Sequence, residues 1–95
     1  MIFEWDDHKE QINIAKHGID FKTAARVFQD EFRIEIFDEL HSDIEKRYIT
    51  IGQIGGVEIV IMVVYTERKQ AIQLISARKA TAQERKMYHD CSSGN

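Results

Sequence analysis

The stretch VEIVIMVVYT, residues 57–66, is nearly all apolar. A strand wet on one face alternates apolar and polar side chains. One that is apolar at almost every position belongs inside a sheet covered on both faces. A chain of 95 residues has to supply those covers from one small domain with one core. Gly55-Gly56 just before the stretch is a hairpin signal. Arg68-Lys69 just after it falls in a second turn. Arg47 to Ile54 is alternating and β-branched, and Ala71 to Ala77 is a further strand, so the last three strands form an antiparallel meander. Ile34 and Ile36 alternate with polar residues and mark one more strand from Arg33 on.

Ahead of Arg33 the period is helical. Asp7 and Glu10 have capping-box spacing at the start of a first helix, which Gly18 ends by taking a left-handed conformation. Asp20 caps a second helix, with Phe21, Ala24, Ala25 and Phe28 at amphipathic spacing. Thr81 and Glu84 form a T-x-x-E capping box that opens a last helix through about Tyr88. The expected architecture is α+β: two N-terminal helices, a four-stranded, mainly antiparallel sheet and a C-terminal helix. Residues 1–90 form the domain and 91–95 a flexible tail. Trp5, Phe21, Phe28, Met62, Leu74 and Met87 are the expected core.

Several classes are excluded. No apolar run approaches the roughly 20 residues of a membrane span. The N-terminus MIFEWDDHKE lacks the basic and apolar regions of a signal peptide. Cys91 is alone, so no internal disulfide forms, and a cytoplasmic protein is expected. No H-x-x-E-H, D-x-D or C-x-x-C spacing is present, so no metal site or cofactor is expected.

The net charge of −3 hides an asymmetry. Residues 1–45 hold 12 acidic and 5 basic residues, and residues 46–95 hold 4 acidic and 8 basic. All basic residues of the second half come as adjacent pairs: Lys46-Arg47, Arg68-Lys69, Arg78-Lys79 and Arg85-Lys86. Such a split hints at an anionic partner. On charge alone, solvated strand ends explain the pairs as well.

FEWDDHKEQINIAKHGIDFKTAARVF, EKRYITIG and VVYTERKQAIQLISARKATAQERKMY occur in this order from Phe3 to Tyr88. In order and spacing they resemble the BrnT family of bacterial ribonuclease toxins. The resemblance implies a RelE-like fold and an endoribonuclease that inhibits translation. It also implies a cognate ribbon-helix-helix antitoxin, BrnA-like, through which alone operator DNA is contacted. One departure stands out: the family commonly has arginine where this chain has Gln73. None of this follows from periodicity or composition.

Metal-independent RNA cleavage uses the 2′-hydroxyl as nucleophile. It needs a base, an acid and cations for the phosphorane charge. Arginine suits the last task, because its fork matches phosphate oxygens and stays charged. Arg47, Arg68 and Arg78 are therefore the candidate catalytic cations, with Lys16 and His17 for proton transfer. His41 and His89 are further proton carriers. Lys46, Lys79, Arg85 and Tyr88 are the candidate RNA contacts, and Tyr48 and Tyr65 can stack on a base or donate a proton. The plainer alternatives are ion pairs, Arg78 with Glu84 and Arg47 with Glu45.

Tight two-residue turns would place Arg47 and Arg78 on opposite faces, and a one-residue change at the glycine turn would bring them to one face. Two other classes of function stand beside the toxin. One is a catalytically weak family member acting as an antitoxin-binding corepressor. The other is a small nucleic-acid-binding domain with no antitoxin, which a neighbouring ribbon-helix-helix gene would argue against.

Overall fold

The computed structural model describes residues 1–93. Its elements run β1 (Ile2–Glu4), α1 (Asp7–His17), α2 (Phe21–Ala25), a 3-10 turn (Arg26–Gln29), β2 (Ile34–Phe37), a second 3-10 turn (Glu39–His41), β3 (Tyr48–Gln53), β4 (Val60–Arg68), β5 (Ala71–Lys79) and α3 (Ala82–Ser93). The five strands form one sheet in the order β1-β5-β4-β3-β2. The expected α+β class holds, with two corrections. There are five strands rather than four, and β1 runs parallel to β5, pairing Ile2–Glu4 with Ala71–Gln73. β1 is too short for a period-2 pattern to register in sequence, because only Phe3 of its three residues turns inward.

The near-continuous apolar run lies where its composition demands, at the centre, with β3 on one edge and β5 on the other, both antiparallel. Alternation divides it. Ile61, Val63 and Tyr65 point to a face packed under α2 and the first 3-10 turn, against Phe21, Ala24 and Val27. Val60, Met62 and Val64 point to the other face, where Ile51, Ala80 and Tyr88 of α3 join them. Aromatic rings cross the first face in sequence: Phe3 on Phe28 at 5.1 Å, Phe28 edge-on to Tyr65 at 5.0 Å, and Tyr65 stacked on Tyr48 at 5.7 Å.

Helix ends follow local chemistry. Asp6, not Asp7, caps α1, its carboxylate accepting from the Lys9 N–H at 2.9 Å. Glu10 reaches instead to the Phe21 N–H at 2.9 Å and ties the two helices together. Gly18 has φ 71°, the left-handed position that glycine takes without cost. Asp20 caps α2. Thr81 and Glu84 close a reciprocal capping box, with the Thr81 N–H on Glu84 at 2.9 Å and the Glu84 N–H on Thr81 Oγ1 at 3.1 Å. α3 continues past Tyr88 to Ser93, so the tail expected at 91–95 begins as its last turn. Gly94 and Asn95 lie outside the described residues. Met87, expected in the core, is 37% exposed on this helix.

Two buried or half-buried polar side chains close the sheet where strands run out. Beyond Glu4 the edge of β5 has no strand beside it. Asn13 of α1 takes its place, donating to Ala77 O at 2.9 Å and accepting from Ala77 N at 3.0 Å. At the other edge β2 ends opposite Ile51. Asp30 accepts from the Gln53 N–H at 2.8 Å and from the Tyr88 hydroxyl at 2.5 Å. Both side chains blunt an edge that would otherwise be open to further pairing.

Candidate functional site

The register decides which charges meet. β3 and β4 pair from Tyr48↔Tyr65 to Gln53↔Val60, around a connection longer than the two-residue turn expected at Gly55-Gly56. β4 and β5 pair Arg68 with Ala71 and Tyr65 with Leu74, then Val64 with Ser76. Ile75 is the extra residue. This bulge flips the far half of β5, so that Arg78 lies opposite Met62 and shares the face of Arg47. The one-residue change that unites the two arginines is thus at Ile75 rather than at the glycine turn. Four positions of β4 separate their levels, about 13 Å at about 3.3 Å per residue.

α3 covers only one end of that face, over Ile51, Val60 and Met62. At the uncovered end Glu4, Gln73 and Thr66 lie side by side across β1, β5 and β4. Arg47 continues the row just before β3. The loop 38–46 stands beside it and closes a cleft of about 360 Å³, lined among others by Lys9, His41, Arg47, Thr66, Arg68 and Gln73. That volume lies in the range of small-molecule sites.

Each group in the cleft is held differently. Arg47 is fixed through its backbone. Its N–H donates to Ser42 Oγ at 2.9 Å, and its carbonyl accepts from Asp38 N at 2.9 Å. Its guanidinium makes no hydrogen bond among the described residues. Arg68 is engaged: Nε and Nη2 donate to the two carboxylate oxygens of Glu45 at 2.8 and 2.9 Å. The Arg68 bond holds the Glu45 carboxyl below its ordinary range, and raises Arg68 in return. His41 lies with Nδ1 3.0 Å from Asp38 Oδ2, and its Nε2 makes no hydrogen bond among the described residues. Thr66 is 2% exposed. Its Oγ1 and the Oε1 of Gln73 are both shut from bulk water with no hydrogen-bond partner.

The remaining candidates lie elsewhere. Arg78 grips Glu84 with two hydrogen bonds, at 2.8 and 3.0 Å, and holds the start of α3. The ion-pair alternative therefore describes Arg78, whereas Glu45 accepts its hydrogen bonds from Arg68 and feels Arg47 only through a weaker electrostatic attraction. Lys16 and His17 are exposed at the C-terminal end of α1, two turns beyond Lys9, and do not reach the cleft. Tyr88 is 4% exposed on the sheet-facing side of α3, and burial and Asp30 push its hydroxyl up to about 12. Tyr65 is buried on the helix-covered face with its hydroxyl on Glu35; burial and that carboxylate raise it well above the usual phenol range. Arg85 folds back onto Ala80 O at 2.9 Å, and Lys79 is exposed at the α3 end of β5. Lys46, exposed beside Arg47, is the one RNA-contact candidate next to the cleft.

Sequence reading passed over Thr66 and Lys9, and saw Gln73 only as a departure. Thr66 was findable as the first polar side chain to follow Met62 and Val64 on the face that alternation gives them. The Asp38-x-x-His41 spacing was a second signal.

The molecule is an α+β protein with a small mixed sheet, and cationic side chains, a carboxylate-anchored histidine and two unsatisfied polar atoms belong to the residues lining one open cleft. The chain belongs to a known family: residues 5–84 match the model of the BrnT ribonuclease toxins of type II toxin–antitoxin systems. Membership implies a cognate antitoxin as partner. No curated protein matches the chain significantly. Among the described residues, no helix is long and apolar enough to cross a membrane.

Proposed function

We propose that this protein is a metal-independent endoribonuclease toxin that slows translation in the cytoplasm, and that the cleft around Arg47 and Arg68 is its catalytic site. One observation carries the reading. In a chain of the ribonuclease-toxin family, two arginines converge on a cleft floored by buried polar atoms without partners.

In the proposed reaction His41 Nε2 takes the proton of a ribose 2′-hydroxyl, while Asp38 holds the ring through Nδ1. The 2′-oxygen attacks the adjacent phosphorus, and the P–O5′ bond breaks as the leaving oxygen takes a proton from water in the open cleft. The products are a 2′,3′-cyclic phosphate and a 5′-hydroxyl. Arg47 faces the developing charge on the phosphorane. Arg68 joins it by exchanging one bidentate partner, Glu45, for another, the phosphate. Lys46 and Lys9 hold flanking phosphates. A ribbon-helix-helix antitoxin neutralises the toxin by covering the cleft, and operator DNA is reached only through it.

The pairing of Arg68 with Glu45 favours a second reading, a weak or inactive member that serves its antitoxin as corepressor. Both are tested by incubating purified protein with RNA in excess EDTA and analysing the products by mass spectrometry. Cyclic-phosphate ends formed at an unchanged rate are expected. Intact RNA with stoichiometric folded protein, with or without added divalent metal, would leave the corepressor reading.

A further inference from the structure

We propose that Gln73 and Thr66 form a base-reading subsite that selects adenine beside the scissile phosphate; the inference rests on the cleft being the RNA site. The starting point is the pair of unmet hydrogen bonds. Thr66 Oγ1 and Gln73 Oε1 come from residues opposite each other on β4 and β5, and neither has a protein partner. A buried polar group left unpaired is costly, and structures keep few of them. Both residues line one open cleft, where a side-chain rotation brings these covered atoms to a ligand that completes the bonding.

The chemistry of the two groups specifies the ligand. A carboxamide presents an acceptor and a donor next to each other, which is the complement of adenine, whose exocyclic amine lies beside a ring-nitrogen acceptor. Guanine presents adjacent acceptors and calls for an arginine or lysine instead. The threonine hydroxyl accepts or donates as needed and supplies the third contact. A phosphate accepts from the Thr66 hydroxyl but has no proton to give Gln73 Oε1, which can only accept.

The surroundings suit a base and not merely a polar ion. Ile75 lies in the floor, and Leu40 and Ile44 line the cleft from the loop. Leu40 is 84% exposed and Ile44 102% exposed, large apolar side chains with nothing packed on them. Apolar side chains on either side of a splayed base provide the stacking surface that an unpaired nucleotide needs. Arg47 and Arg68 then flank the base at the position of its phosphates.

The test uses fluorescein-labelled single-stranded RNA hexamers that carry A, G, C or U at one position and are otherwise uridine. One set has a 2′-O-methyl group at that position, so that binding is read without cleavage; the other set is cleavable. Wild type is expected to bind the A hexamer about tenfold more tightly than the others, the discrimination of one bidentate pair. Gln73→Leu should flatten the preference, and Gln73→Arg should move it to guanine. Thr66→Val should lower the preference severalfold. It should also raise Tm by about 4 °C, because it removes an unpaired buried hydroxyl. Equal binding of all four bases by wild type, or a preference unmoved in both Gln73 variants, would overturn the subsite. If wild type then still cleaves the cleavable set, the ribonuclease reading stands without it. Selective binding with no cleavage would instead sink the catalytic reading and leave the base-reading subsite.

Discussion

Asn13→Ala tests whether the α1–β5 junction rests on one side chain. Asn13 is 4% exposed and makes three hydrogen bonds to main chain: to Ile19 O and Ala77 O at 2.9 Å, and from Ala77 N at 3.0 Å. Alanine leaves all three backbone groups without their partner. A net hydrogen bond is worth about 1 kcal/mol, and a buried group left unsatisfied costs about 1–3 kcal/mol. Water reaching the vacated space recovers part of this. The expected loss is about 3–5 kcal/mol, a large fraction of the total for a domain of this size. At about 4–8 °C per kcal/mol, Tm should drop by well over ten degrees. The assay is urea unfolding followed by circular dichroism, with amide exchange at Ala77 as the local probe. Lys16→Ala, exposed on the same helix, is the control and should change stability by under about 0.5 kcal/mol. A loss below about 1 kcal/mol for Asn13→Ala, or unchanged exchange at Ala77, would show that β5's edge is held by something other than this residue.

Three further outcomes follow from other contacts. Gly52→Ala should destabilise by about 1–3 kcal/mol, since the added Cβ would lie 2.8 Å from Val27 Cγ2 and 2.9 Å from Arg33 Cβ; wild-type urea stability would refute this. Burial pushes the Asp30 carboxyl up, but bonds from the Tyr88 hydroxyl and the Gln53 and Phe32 N–H groups outweigh it and hold it below its usual range. A depressed folded value stabilises above the unfolded pKa of about 3.9 and is lost as pH falls through the folded one. The stability gap between wild type and Asp30→Asn should therefore close in acid, and a gap constant from neutral pH to pH of about 3 would contradict it. Glu45→Gln should release Arg68 and tighten RNA binding severalfold at low salt, with the gain fading as salt rises; weaker binding would make Glu45 part of the site.

The fold was legible wherever a short-range rule applies. Gly18, Asp20 and the Thr81–Glu84 box end or start helices through contacts within four residues, and the apolar run at 57–66 announced a central strand. β1 was not legible, because a parallel pairing with β5 is set by the whole intervening chain. Nor was the site. A basic pair on a strand sends one member to each face, so its meaning depends on register, and for Arg78-Lys79 register depends on the bulge at Ile75. Nothing in LISARK marks that bulge. It brought Arg78 onto the face of Arg47, but α3 already occupied that end and Glu84 already held the guanidinium. Lys16 and His17, singled out as a basic–imidazole pair at a helix corner, lie away from the cleft. His41 gained its place in the cleft from a loop that no periodicity predicts.

The most direct measurement compares two arginines on the same sheet face. RNA cleavage by purified Arg47→Ala and Arg78→Ala is followed under single-turnover conditions, with circular dichroism to confirm folding at the assay temperature. A site centred on the cleft predicts that Arg47→Ala loses about a hundredfold or more in rate, the cost of one contact that strengthens in the transition state. Arg78→Ala should keep its rate within a few-fold and lose stability at the start of α3 instead. An Arg47→Ala protein that cleaves like wild type, or an Arg78→Ala protein that is folded yet equally inactive, would contradict the assignment of the cleft.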